Sequence, residues 1–442
     1  MANWYVRDGA AGTNNGTNWM NAWEDMDDIA WASVTRGDTI YVADGNYAIP
    51  TLTKAESGSS IIEIRKACTT GTGDGAHGTE TGWVDTYGDG TANWPACQEW
   101  LFYTGYWTIN GVFRDESNWY DDTAYGFRFV KTSAGQRQFN VPYPETAHHL
   151  TFKYLYTAGV LSGEEGGVTY YCAGYSNYCT ISHCFSTLGG RCSMLWNTSS
   201  YTLVEYTLMS RCRSTVLTHG ELISNTVINY FTVRYNIFED SQGTGFVMFG
   251  DNSSLPYGGT GHEFYGNLFI RTSGYPNPGQ YEVGDNEEVI GTWSDVGNYT
   301  ENSKVYNNTF INIVKSNAAI FFGDGSSGNL AYNNLFYGLG TNLFSGCTHN
   351  YNAFDGTNAQ GEANAQTGIT TAKFVNYNAG GIPAGGDFHL ASATDAGYDT
   401  GSDVPENDVD MDGVTRGADA VWDRGAYEYG VGDPDKLVLI LK

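Results

Sequence analysis

Arg211, Asp240 and Arg271 each stand two residues beyond the second member of an apolar pair, Leu208-Met209, Ile237-Phe238 and Leu268-Phe269, and Glu239 adjoins the middle one. If those pairs occupy successive strands of one parallel sheet, three side chains of alternating charge form a row, with neighbours about 5 Å apart. Removing a proton beside a carboxylate needs cations to neutralise that carboxylate and a base close by. Arg211, Arg271, Asp240 and Glu239 are therefore the candidate catalytic residues. The same order also suits a ladder that avoids like-charge stacking and does no chemistry. Asp115 and Asn312 occupy the corresponding offset in other copies. Register decides the matter, because a slip of one residue turns every side chain to the other face.

A second constellation lies near the end of the chain. Asp408, Asp410, Asp412 and Gly413, with Asp419 at the twelfth position, follow the spacing of a calcium loop, except that Asp replaces the usual bidentate Glu. Two readings of this spacing stand side by side: a Ca2+ site, and a cap turn in which Asp410 or Asp412 pairs with Arg416. Between residues 267 and 308 an insertion carries Tyr281, Glu282, Asp285, Asn286, Glu287, Glu288, Trp293 and Tyr299, types that can wall a sugar-binding groove or simply form an acidic solvated loop. His219, Glu221, His262 and Glu263 are further acid or base candidates, although an isolated His is more often structural.

The elements that must position these residues repeat. Asn236-Ile237-Phe238, Asn267-Leu268-Phe269, Asn308-Thr309-Phe310, Asn334-Leu335-Phe336 and Asn352-Ala353-Phe354 share one pattern. Weaker copies are Asn110-Gly111-Val112-Phe113, Tyr154-Leu155-Tyr156, His183-Cys184-Phe185 and Thr207-Leu208-Met209. In a parallel solenoid like positions lie one strand spacing apart, so Phe stacks on Phe and Asn amides bond along a turn. Near the start, Trp19, Trp23, Met26, Ile29 and Ala30 recur at three- and four-residue spacing. That spacing predicts an amphipathic helix with Asn18 as its cap and Gly37 beyond its end, followed by a strand over Asp38 to Val42.

Composition agrees with strands and turns. The chain has 442 residues, 57 Gly, 32 Tyr and only 16% charged residues. A net charge of -27 with 22 Lys+Arg argues against nucleic acid and anionic membranes as partners. The apolar run Leu437 to Leu441 is far short of the roughly 20 residues that span a bilayer, so no membrane insertion is expected. Eight cysteines include no CxxC pair; a Cys68–Cys97 disulfide and buried free thiols are both open. The residues after Met1 lack the basic start and apolar run of a secretion signal.

The opening, with Asn14-Asn15-Gly16-Thr17 and Gly37-Asp38-Thr39-Ile40-Tyr41-Val42-Ala43-Asp44-Gly45-Asn46-Tyr47, resembles the amino-terminal cap of the pectin-lyase-like right-handed parallel β-helix proteins. The segment Gly386-Asp387-Phe388-His389-Leu390, then Asp410-Met411-Asp412-Gly413, Arg416 and Gly425-Ala426-Tyr427-Glu428-Tyr429, resembles their closing segment. The resemblance implies an all-β right-handed parallel β-helix: a cap with a short helix over 1–50, coils over 51–356 and a closing segment over 357–442. It also implies an extracellular or virion-surface protein that binds, and in some members cleaves, polysaccharide as a lyase or glycoside hydrolase. The alternative is a non-catalytic spike or decoration subunit whose partners are other virion proteins or copies of itself. Of the motifs found in polygalacturonase-type hydrolases of this fold, only Asp121-Asp122 has a counterpart.

Overall fold

The computed structural model describes residues 1–69, 76–97, 99–132, 137–160, 168–172, 176–189, 194–196, 199–212, 220–241, 245–250, 257–273, 275, 288–292, 298–313, 318–340, 342–392, 401–404, 409–417 and 422–429. Most of their strands fall into three long parallel sheets of 12, 11 and 10 strands, which the chain visits in turn, and the rest into small sheets of two or three. One circuit runs through Thr232–Arg234, Ile237–Ser241 and Gly245–Phe249 before Glu263–Tyr265 returns to the first sheet. This is a parallel β-helix.

Alternation within each short strand decides what enters the interior. In the 12-stranded sheet Val204, Val233, Phe264, Val305 and Ala331 pair in succession and are fully buried, while their neighbours face outward. In the 11-stranded sheet Phe238, Phe269, Phe310, Phe336 and Phe354 stack with ring centroids 4.9, 5.0, 4.8 and 5.7 Å apart. At the turn before each of these strands, the amides of Asn236, Asn267, Asn308, Asn334 and Asn352 donate each to the next at 2.9–3.0 Å. The Glu362 carboxylate accepts from the last of them at 2.7 Å.

The weaker copies divide. Met209 pairs with Phe238 and joins the interior stack, whereas Phe185 pairs with Leu208 and Tyr156 with Phe185. Tyr156 and Phe185 therefore lie one residue out of the interior register, on the outer face of the sheet. That face is not bare: Tyr156, Phe185, Leu208, Ile237, Leu268 and Leu335 form a second core with Phe374, Phe388, Met411 and Tyr427 of the closing segment.

The expected amino-terminal helix is not formed. Trp19, Trp23, Met26 and Ile29 are buried as their spacing requires, but only Trp19–Asn21 makes a 3-10 turn, capped by Asn18, and Ala30 is exposed. The backbone of Trp23 is drawn into the sheet instead, donating to Tyr5 O at 2.9 Å and accepting from Arg7 N at 2.8 Å. The strand Asn3–Val6 pairs with Thr39–Val42, so the 12-stranded sheet begins within the first 50 residues. The Cys68 thiol donates to Lys66 O, and burial pushes the Cys97 thiol up to about 12. No helix of the described residues is long and apolar enough to cross a membrane.

Candidate functional site

The strand Leu208–Cys212 pairs with Ile237–Ser241 through Ser210↔Glu239 and Cys212↔Ser241, which sets Arg211 beside Asp240. The next pairing, ending at Glu239↔Ile270, sets Asp240 beside Arg271, and Ile270↔Ile311 carries the row on to Asn312. Arg211, Asp240 and Asn312 have φ of 56°, 59° and 57°, a left-handed conformation that bends the chain at this position of each coil. Asp115 does not belong to this row. It lies in the loop after Gly111, where its carboxylate accepts from Ser117 N and Oγ at 2.8 and 2.6 Å.

Glu239 points to the outer face, yet it is only 1% exposed. The loop between Gly111 and Gly126 lays Tyr120 over it, with the hydroxyl donating to Glu239 Oε2 at 2.8 Å. From the other side Gly381, at φ 74°, approaches so closely that a Cβ would stand 2.7 Å from Thr272 Cγ2 and 3.2 Å from Glu239 Oε2. Burial, and then the charge of Asp240, push the Glu239 carboxyl up to about 7, against the Tyr120 hydrogen bond and the nearby Arg211 charge. Asp240 is also raised by burial, although Thr272 N and Oγ1 donate to its two oxygens at 2.8 and 2.7 Å and Arg271 and Arg211 favour its charge. Of the row, Arg211 is exposed and Arg271 is buried. Such a cluster can hold or release a proton at Glu239 near neutral pH, but it does so beneath a roof. The sequence pattern carried no signal for Tyr120, because its contact spans 119 residues of chain.

The carboxylates near the end of the chain are engaged within the protein. Asp410 Oδ1 accepts from Asp412 N and Val414 N at 2.9 and 2.8 Å, and Oδ2 accepts from Glu428 N at 2.9 Å. His389 bridges Asp387 and Asp412 at 2.5 and 2.6 Å. Burial opposes charge on this imidazole, but the two carboxylates carry it up to about 10. Arg416 pairs with Glu428 at 3.3 Å and donates to Gly425 O and Ala426 O. Asp408 and Asp419 lie outside the described residues. Among the described residues no three His, Cys, Asp or Glu side chains converge on a point that holds a metal ion.

The remaining candidates separate. Tyr281, Glu282, Asp285, Asn286, Glu287, Trp293 and His219 lie outside the described residues. Glu288 is buried in the strand Glu288–Thr292, and Tyr299 packs beside Tyr257 at 5.3 Å. Glu221 is buried. His262 stacks on Phe249 at 4.7 Å, bonds Gly258 O at 3.1 Å and is lowered by burial to about 4, the behaviour of a core imidazole.

An open cleft of about 440 Å³ lies on the outer side of the 12-stranded sheet. Lys304 and Tyr306 of one strand and Leu330 and Tyr332 of the next form its floor, and Ser402, Asp403 and Val404 form its wall. The wall is pinned by Asn333, which donates to Ser402 O at 2.6 Å and accepts from Ser402 N at 2.8 Å. Tyr306 stacks on Tyr265 at 5.0 Å, and Lys304 is 3.6 Å from Glu263. Sequence reasoning had no access to this cleft, since its wall returns from about 70 residues away.

No family model matches the chain, and no curated protein matches it. Solved structures similar to it include a rhamnogalacturonan lyase, at TM-score 0.48 and 10% identity, covering 86% of this chain and 91% of that one. The pectate lyase Pel9A is similar at TM-score 0.42 and 14% identity, covering 97% of each chain. A GH136 lacto-N-biosidase from Eubacterium ramulus is similar at TM-score 0.39 and 10% identity, covering 79% of this chain and 67% of that one.

Proposed function

We propose that the protein is an extracellular or virion-surface β-helix that binds polysaccharide on the outward side of its 12-stranded sheet. The observation that carries this reading is the cleft. Its volume of about 440 Å³ falls in the range of small-ligand sites, and it sets the half-buried Tyr332 and Leu330, over a floor closed by the buried Tyr306, beside a cation, a carboxylate and a hydroxyl. Apolar faces for sugar rings and polar groups for their hydroxyls are thus offered together. Tyr332→Ala and Lys304→Ala should each reduce retention of the protein in gels containing soluble polysaccharide while leaving the melting temperature in place. Unchanged retention in both variants would remove the cleft from the reading.

Cleavage, if the protein performs it, belongs to Glu239 with Arg211, Asp240 and Arg271. Appearance of unsaturated uronate ends or new reducing ends from a polysaccharide panel would establish it. The roof over Glu239 favours a second reading, a non-catalytic spike or decoration subunit in which the charge row is structural. Binding without new ends from any substrate decides for that reading.

A further inference from the structure

At the corner where the chain enters the 12-stranded sheet, one position of each coil forms a file. The pairings Trp107↔Leu150, Thr151↔Thr180, Thr180↔Leu203 and Leu203↔Thr232 place Tyr106, His149, Tyr178, Tyr201 and Tyr230 in line. Their rings stack at 4.5, 4.7, 4.9 and 4.9 Å. Tyr178, Tyr201 and Tyr230 are 50%, 49% and 49% exposed, so the file is open to solvent.

All five have φ between 52° and 59°, where a bulky residue is strained. In the following coils the same position is Gly261, Asn302, Gly328 and Gly346, at φ 71°, 52°, 70° and 70°, the residue types that adopt this conformation cheaply. A similar file at the next corner, Tyr154, His183, Tyr206 and Tyr235, shows what such rings do when covered. Tyr235 is 4% exposed and its hydroxyl donates to Val409 O of the closing segment. The first file has the same construction and no such cover among the described residues.

We propose that the file Tyr106, His149, Tyr178, Tyr201 and Tyr230 binds an uncharged glycan lying along the rod axis and leading into the cleft. This rests on the reading of the cleft as a polysaccharide site. The stacked rings use their faces on one another, so a ligand meets ring edges, with a phenol hydroxyl in four of the five coils and the His149 imidazole in the other. That suits a polymer of polyhydroxylated rings. The adjacent outward row of the sheet is Thr108, Thr151, Thr180, Leu203 and Thr232, which adds hydroxyls and no charge. Neither row contains a Lys or Arg; Arg36 at the Tyr106 end is spent on Gly105 O and Tyr106 O at 2.7 and 2.8 Å and on the Trp107 ring, Glu56 stands 3.6 Å from His148 at the same end, and the chain carries -27 overall. A polyanion is repelled from such a strip. The other end, Tyr230, lies two coils from the strand of Lys304 on the same sheet, so a chain leaving the file runs toward the cleft.

The test uses the full chain in affinity gels containing dextran, glucomannan or soluble starch, beside gels containing polygalacturonate or alginate. Tyr178→Asn with Tyr201→Asn releases the strain, and Tyr178→Phe with Tyr201→Phe keeps the stack but removes two hydroxyls. Each pair should weaken retention by a neutral glycan at least fivefold with the melting temperature of the Phe pair unchanged, and polyuronate gels should retain none of the proteins. Unchanged retention in both pairs, with Tyr332→Ala still reducing it, overturns the strip and leaves the cleft standing. Preferential retention by polyuronate overturns the ligand class. A change of oligomeric state by light scattering with retention unchanged assigns the file to a second copy of the chain and overturns the proposal. If the unmodified protein is retained by no glycan, the cleft reading fails first.

Discussion

Glu239 links the charge row to a measurable property of the whole fold. Its carboxyl is 1% exposed and pushed up to about 7 from an ordinary value near 4.5, so between those values the folded protein binds a proton that the unfolded chain has released. Stability is therefore greatest below about pH 4.5 for this group and is lost as pH rises through 7, by an amount on the order of 3 kcal/mol. Glu239→Gln keeps the shape and removes the titration. The variant should melt at nearly the same temperature at pH 5 and pH 8 as far as this site contributes, whereas the unmodified protein should lose stability across that interval. Equal slopes in the two proteins would show Glu239 to be solvated. The charge order of Arg211, Asp240 and Arg271 was legible because each follows its apolar pair by a fixed offset. The burial that shifts Glu239 was not, because Tyr120 and Gly381, which close over the carboxylate, approach from distant loops.

At the scale of elements, the Asn-apolar-Phe repeat was readable because stacking demands the same residue type in every coil. Where the demand relaxes, so does the signal: Tyr156 and Phe185 mimic the pattern but sit one residue out, on a face that the closing segment also makes apolar. Spacing alone likewise predicted a helix around Trp23, since burial of one side at that period does not require helical hydrogen bonds. The Asn ladder yields a sharper prediction than the Phe stack. Asn308 accepts from both Asn267 N and Nδ2, at 3.1 and 2.9 Å, and donates to Phe264 O, Tyr306 O and Asn334 Oδ1. Asn308→Ala leaves several buried groups unpaired, each costing about 1–3 kcal/mol before relaxation. Phe269→Ala, between two rings in the interior, should cost about 3–5 kcal/mol. Urea denaturation should therefore find Asn308→Ala at least as damaging as Phe269→Ala. A loss of under about 1 kcal/mol for the Asn variant would mean that water replaces the ladder bonds.

At the scale of the molecule, a solenoid leaves two problems that the repeat cannot solve: an open end and an apolar outer face. The closing segment meets both. Glu362 terminates the Asn ladder at Asn352, and Phe374, Phe388, Met411 and Tyr427 cover the outer side of the 11-stranded sheet. Without that cover Ile237, Leu268, Ile270, Ile311 and Leu335, each no more than 2% exposed in the whole chain, become a contiguous apolar strip. A strip of that kind, beside an edge of the strand Ala353–Phe354 that has lost its bridge to Gln366 and its bond from Ile369, favours association with another chain. A chain ending at residue 356 should therefore melt at a lower temperature, bind an apolar dye and elute as oligomers in size-exclusion chromatography with light scattering. Restoring residues 357–442 as a separate polypeptide should recover a one-to-one complex if the closing segment folds against the sheet without the covalent link. A truncated chain that stays monomeric and melts unchanged would show instead that the three sheets hold their outer face without cover, and that the closing segment serves only to wall the cleft.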